Sequence, residues 1–245
     1  MIHPESVAVG AALLGGWLSA WKIRGERPGA GRTLAFVGGL LAGGAALNGP
    51  LHDLAEDGLF SAHMAQHLLL ILVAPPLLLV GTPAWMMDRL LRAALAGRRL
   101  RGMVLTLTRP VPALACYTAT LIAWHLPPLF NRALASPAWH AAEHGALVVG
   151  SVVAWWPVLG PSRLIPPVHY GTQLLYLFVL GMPMTLVAAM ITGAEHVLYT
   201  AGVEGLADQR LGGVLMWVPA GVVPLAVFTI VFFRWAVSEA DDNGE

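Results

Sequence analysis

The run "HLLLILVAPPLLLVG", His67 to Gly81, contains no Asp, Glu, Lys or Arg. Hydrocarbon on that scale must be hidden from water, and the rest of the chain has little polar surface to hide it under. Over the whole sequence 57% of residues are hydrophobic and 11% charged, with a mean hydropathy of +0.68. Soluble domains carry about 25% charged residues. A polytopic, all-α membrane protein is the class that fits, because only helices and closed barrels satisfy every backbone polar group inside lipid.

A helix crosses the hydrocarbon core in about 20 residues. Seven apolar stretches reach that length, at roughly 6–23, 33–50, 61–80, 110–128, 138–158, 170–192 and 212–234, and they make residues 1–245 a single transmembrane domain, a seven-helix bundle. Pro75 and Pro76 predict a kink in the third span, tolerable where neighbouring helices take up the freed carbonyls. Ser136 is placed to cap the fifth span, with Pro137 at its first helical position, where a missing N–H costs nothing. "GGLLAGG", Gly38 to Gly44, offers close helix packing in the second span. Between Ala84 and Arg109 the chain reads as an amphipathic helix with Met86, Met87, Leu90, Leu91 and Leu95 as its apolar stripe. Its arginines suit an anionic inner leaflet. "MIHPES" carries no Lys or Arg and does not read as a cleaved signal peptide.

Lys and Arg accumulate in cytoplasmic loops. Seven crossings put Lys22, Arg24, Arg27, Arg32, Arg89, Arg92, Arg98, Arg99, Arg101, Arg109, Arg163 and Arg234 on one side, 12 of the 14 basic residues. Only Arg132 and Arg210 fall opposite. The expected N-terminus is therefore outside and the C-terminus cytoplasmic.

The histidines sort the other way. His3, His52, His63, His67, His125, His140, His144 and His196 fall on the outer face or in the outer ends of spans, eight of nine, and His169 alone is inside. The pairs His63/His67 and His140/His144 are HxxxH motifs, which place imidazoles on one helical face about 6 Å apart. One helix can supply two ligands to one ion at that spacing. His125 and His196 lie at similar depth and extend the candidate metal set. Met64, with Met190 further off, adds the soft thioether that Cu(I) favours. Asp53, Glu143, Glu195 and Asp208 are on the correct side to orient a ligating imidazole. A lone interfacial histidine is more often a packing residue; two pairs and two further histidines on one side are not explained that way. Zero formal net charge excludes nucleic acid as an expected partner, and a single cysteine, Cys116, excludes a disulfide or a thiolate metal site within the chain. Trp124, Trp139, Trp217 and Trp235 suit interfacial belts.

Three functions could use such a set. A copper-handling assembly or transport protein needs imidazole ligands facing outward. A haem-binding electron carrier needs axial ligands on opposite sides of one iron, which residues at i and i+4 of one helix do not give but one histidine from each pair, facing across the bundle, could. A zinc-dependent membrane hydrolase is suggested by "HAAEH", His140 to His144, an H-x-x-E-H match with Glu143 as base. Glu143 is turned roughly 60° from the middle of the His140/His144 face, which suits a partner to a ligand equally well.

Several segments then fall in one order: "SAHMAQHLLLILVAPPLLLVGTP", "AWHLPPLFNRAL", "WHAAEH", "WWPVLGP" and "ADQRLGGVLMWVPAG". In these the chain resembles the caa3-type CtaG family of cytochrome c oxidase assembly factors, over roughly residues 45 to 225. The resemblance implies a seven-helix protein of the bacterial inner membrane. The resemblance also implies that it is not an enzyme and that it supports copper insertion into a haem–copper oxidase, whose subunits are its expected partners, with the metal-dependent hydrolase as the alternative. Carried over by motif, His63, His67, His125, His140 and His144 match the family's histidines. Asp208 and Gln209 match its "DQ" pair and Trp217 its "MW" tryptophan, as ligand-orienting or partner-binding residues. His196 rests on topology alone. Cu(I) is the expected cargo, with zinc as the other ion that imidazoles accept.

Overall fold

A computed structural model describes residues 4–199 and 205–242; His3 lies outside the described residues. Among the described residues every regular element is helical. In chain order they are α1 (Pro4–Arg24), α2 (Ala30–Leu47), α3 (Pro50–Glu56), α4 (Phe60–Leu68), a π-helical turn (Leu69–Val73), α5 (Ala74–Gly81), α6 (Ala84–Ala96), α7 (Arg98–Leu107), α8 (Pro110–His125), α9 (Pro127–Ala135), α10 (Pro137–Leu159), α11 (Tyr170–Leu180), α12 (Met182–Gly193) and α13 (Leu206–Asp242).

Six helical stretches are long and apolar enough to cross a membrane: Ser6–Arg24, Ala30–Glu56, Phe60–Gly81, Pro137–Leu159, Tyr170–Gly193 and Leu206–Asp241. The fourth expected span is shorter than its neighbours. α8 has 16 residues, and α9 leaves it at 67°, so this pair makes a seventh span only if counted together. The cause is local: Pro127 and Pro128 force Leu126 into extended backbone, and the helix stops at His125. The last helix runs beyond the 212–234 expected, because "SEADD" continues it as a polar extension.

The paired prolines of the third span produce a π-helical turn rather than a sharp bend, and Phe60–Gly81 remains one stretch. Pro75 has no N–H to give the carbonyl of Ile71, four residues back. That carbonyl accepts instead from Ser151 Oγ at 2.6 Å and Trp155 Nε1 at 3.1 Å, both on α10. A defect in one helix thus becomes its anchor to another. Lipid tails are as apolar as leucine, so close packing and such interhelical bonds hold the bundle. Gly39 illustrates the packing: a Cβ there would lie 2.8 Å from Leu78 Cγ and 3.0 Å from the carbonyl of Ala74, so α2 sits directly on α5. The glycine-rich stretch of the second span therefore serves internal packing.

The main core runs through Leu121, Leu147, Trp155, Met184 and Met216, and is contributed mostly by α4, α8, α10, α12 and α13. α1 is peripheral and joins through a separate cluster in which Trp17 stacks on Phe36 at 5.0 Å. The amphipathic segment after α5 is two helices, broken at Gly97. Met86 and Leu91 are buried as expected, but Leu90 is exposed and faces away. The buried position that displaces it is Asp88, which ties α6 to the turn after α10.

Candidate metal centre

Antiparallel packing brings the start of α4, the end of α8 and the starts of α10 and α13 to one end of the bundle. Six imidazoles meet there: His52 on α3, His63 and His67 on α4, His125 on α8, and His140 and His144 on α10. Ring centroids are 4.4 Å apart for His63 and His67, 4.3 Å for His140 and His144, and 5.0 Å for His63 and His140. His67 is 5.3 Å from His125 and 5.4 Å from His144, and His52 lies 6.0 Å from His140.

The innermost group is narrower than the cluster. His63, His67, Glu143 and His144 each offer one donor atom, and these atoms all lie within 4.8 Å of one another. Tetrahedral donors about 2.0–2.1 Å from one ion are about 3.4 Å apart. Side-chain shifts of about an ångström would therefore close them on a single cation. All four residues are buried, Glu143 fully so. Glu143 Oε2 is 3.4 Å from His63 Nε2 and Oε1 is 3.7 Å from His67 Nε2. Neither carboxylate oxygen accepts a hydrogen bond; both ring nitrogens of His63 and His67 and the Nε2 atoms of His144 and His125 are likewise buried without one. Protein interiors bond about nine-tenths or more of such groups. A knot of bare lone pairs at this density is what a cation site requires, and the donor set fits a transition metal.

The two HxxxH pairs do not behave alike. His63 and His67 both belong to the inner group. The second pair splits, with His144 inside and His140 at the rim between His63 and His52. Between them Glu143 faces α4, so the glutamate expected to orient a ligand stands among the candidate donors. His125 is prepared differently. Its Nδ1 lies 2.8 Å from the carbonyl of Leu121 and must donate to it, which leaves Nε2 of the neutral ring without a proton.

Two expected ligands are elsewhere. Met64 is fully buried but lies against α13, where a Cβ on Gly212 would come within 3.1 Å of its Cγ. One residue along a helix turns the side chain by about 100°, which takes Met64 off the histidine face. His196 is exposed on the loop before α13, because its backbone, not its ring, is what the fold holds: its carbonyl accepts from Gln209 Nε2 at 3.3 Å. Met190 and Glu195 are also exposed, and Trp217 is 44% exposed on α13 and is not among the converging donors. Asp53 is half-buried beside His52 and is not among the converging donors. Ser136 occupies the N-cap of α10 without a side-chain bond, whereas Pro137 holds the expected first position.

The "DQ" pair has a defined structural task. Asp208, in the first turn of α13, accepts from the Phe60 N–H at 2.6 Å and the Ser61 N–H at 3.2 Å. Those are orphan donors at the start of α4, so a carboxylate from another helix caps the one that carries His63 and His67. Gln209 Oε1 accepts from the Leu198 N–H at 2.7 Å, and Arg210 donates to the Ala194 carbonyl at 3.0 Å. Together they fix the loop that delivers Tyr199. The Tyr199 hydroxyl donates to the His125 carbonyl at 3.0 Å, and its ring packs 4.3 Å from Phe130, which in turn stands 5.1 Å from His63.

Sequence reasoning missed His52 as a member of the cluster, although its outward position was legible. It also missed Gln66, fully buried on α4, whose Nε2 donates to the Ala46 carbonyl at 2.6 Å and to His52 Nδ1 at 2.8 Å. That second bond leaves the proton of neutral His52 on Nε2, which faces Glu56 at 3.3 Å. Phe130 fell within the segment "AWHLPPLFNRAL" without being singled out, and Tyr199 carried no signal.

A family model described as cytochrome c oxidase caa3 assembly factor (Caa3_CtaG) matches residues 13–238. The match takes in most of α1 and α13, a wider reach than the motifs between residues 45 and 225 mark. No curated protein and no solved structure matches the chain. With a match over nearly its whole length, this chain belongs to the caa3 assembly-factor family of cytochrome c oxidase.

Proposed function

We propose that the chain carries copper to a haem–copper oxidase during its assembly, holding the ion in the histidine cluster at the extracytoplasmic end of a seven-span bundle. The observation that carries this reading is a buried group of unbonded donors from α4 and α10, His63, His67, Glu143 and His144, with His125 and His52 from two further helices in the surrounding ring cluster. The membrane frame supports it. Twelve basic residues belong to the ends and loops opposite the cluster, which under the positive-inside rule favours an outward-facing histidine end. The bilayer in question is the bacterial inner membrane, where the family's oxidase partner is assembled.

The work is binding and handover, not bond-making. Glu143 of "HAAEH" packs against His63 and His67 instead of standing off as a base beside a His140/His144 pair, so the geometry does not favour a zinc hydrolase. Rings in mutual contact at 4.3–5.7 Å also leave no slot for a porphyrin between them.

The test is a quadruple His→Ala variant at 63, 67, 140 and 144. Wild-type protein purified in detergent from copper-grown cells should carry stoichiometric copper by elemental analysis, without a Soret band. The variant should carry none, and the oxidase in that strain should be short of copper. A fully metallated oxidase in the variant strain would refute the proposal.

A further inference from the structure

Glu143 has a more direct part than orienting an imidazole, and the case for it rests on the copper reading above. A carboxylate that orients a ligating histidine accepts its N–H at about 2.7–3.0 Å. The Glu143 oxygens stand 3.4 Å and 3.7 Å from the Nε2 atoms of His63 and His67, accept no hydrogen bond, and lie at the same focus as those nitrogens and a donor nitrogen of His144. Ligands that face one another across a shared ion have this arrangement. The soft donors are elsewhere: Met64 is against Gly212, and Cys116 is nine residues before His125 on α8, about 13 Å along the helix.

We propose that Glu143 is a direct ligand, and that His63, His67, His144 and Glu143 bind copper as Cu(II) in preference to Cu(I). Thiolate and thioether donors select Cu(I), whereas imidazole with a carboxylate oxygen suits a divalent ion. Four donors converge here, one of them an oxygen and none a sulfur. The carboxylate also cancels one of the two positive charges that a buried dication brings into a low-dielectric interior, where an unpaired charge is costly. Among divalent ions Cu(II) binds a given nitrogen–oxygen donor set more tightly than Zn(II), which favours copper where the two are equally available.

The experiment uses the full-length protein, stripped of metal in detergent. Cu(II) is titrated aerobically and followed by electron paramagnetic resonance; Cu(I) is titrated anaerobically against a Cu(I) chelator. The wild type should take one Cu(II) per chain with nitrogen hyperfine structure, and hold it more tightly than Cu(I). E143Q should lose more than roughly 100-fold in Cu(II) affinity, beyond the 10–100-fold that removal of a ligand's hydrogen-bond partner costs. E143D, which keeps a carboxylate, should retain part of the binding. A smaller loss in E143Q overturns the ligand role, and wild-type preference for Cu(I) overturns the assignment of oxidation state; that second measurement needs no variant to fold. Wild-type protein that takes copper in neither state defeats the copper reading as well. Tight Cu(I) binding defeats this inference alone.

Discussion

Two buried carboxylates stand at opposite ends of the bundle, and they are treated in opposite ways. Asp88, near the arginine-rich end, accepts from Ser162 Oγ at 2.6 Å, the Arg163 N–H at 3.0 Å and the Leu164 N–H at 3.4 Å. Glu143, at the histidine end, accepts from nothing. Burial alone raises a carboxyl pKa, but at Asp88 the Ser162 hydroxyl, the two backbone N–H groups and the Arg92 charge outweigh it and hold the group below its ordinary value. Asp88 is a structural carboxylate, saturated by the chain that surrounds it. Glu143 has no such partners and stands beside the unbonded ring nitrogens of His63 and His67.

Metal removal breaks this contrast most strongly. If the inner group binds Cu(II), ligand at about a thousand times its Kd stabilises the folded state by about 4 kcal/mol. The apo protein should therefore unfold at a clearly lower temperature than the copper-loaded form, and His144→Ala should abolish the difference. Equal melting temperatures with and without copper would mean the donors are not completed by that ion.

Asp88→Ala attacks the saturated end. It strands the Ser162 hydroxyl and the Arg163 N–H, while the Leu164 N–H keeps Ser162 Oγ, and a buried donor without a partner costs about 1–3 kcal/mol. Detergent unfolding should show a loss in that range with copper stoichiometry unchanged. The pH dependence has a definite sign. A carboxyl whose folded pKa is depressed contributes stability that is complete above its unfolded value, near 3.8, and is lost as pH falls through the lower folded value. Acid unfolding of the wild type should therefore steepen below pH 3.8, and Asp88→Asn should flatten that limb.

The smallest effect sharpens the contrast by linking the cap to the site. Asp208→Asn keeps the side chain's shape but weakens its hold on two N–H groups at the start of α4, for a cost of about 1 kcal/mol. Because α4 carries His63 and His67, copper affinity should fall modestly with stability, measured by the same titration. Unchanged affinity would separate the cap from the site.

Six of the seven expected spans, their order and the gathering of histidines at one end were legible in the sequence, since each depends on local hydropathy or on where along a span a residue falls. α10 begins and ends within a residue of its expected bounds because Pro137 marks its start and Gly160 follows its last residue. Less accessible was the rotation of each helix about its axis. His63 and Met64 are neighbours in sequence, yet one faces the donors and the other the hydrophobic core. His140 and His144 share a helical face, yet the inner group takes His144 with Glu143 and leaves His140 at the rim. The Ile71 carbonyl, which accepts from Ser151 and Trp155, ties the third span to α10 below those residues.

By itself, then, the sequence determined a helical membrane protein with its imidazoles gathered at one end, because partitioning into lipid and charge placement depend on residues taken nearly one at a time. Tertiary structure alone decided which side chains share a centre: it admitted Glu143 and His52 to the cluster, turned Met64 away, and left His196 outside. Coordination depends on distances of a few ångströms between helices far apart in the chain, and those are fixed by packing and by bonds across the bundle.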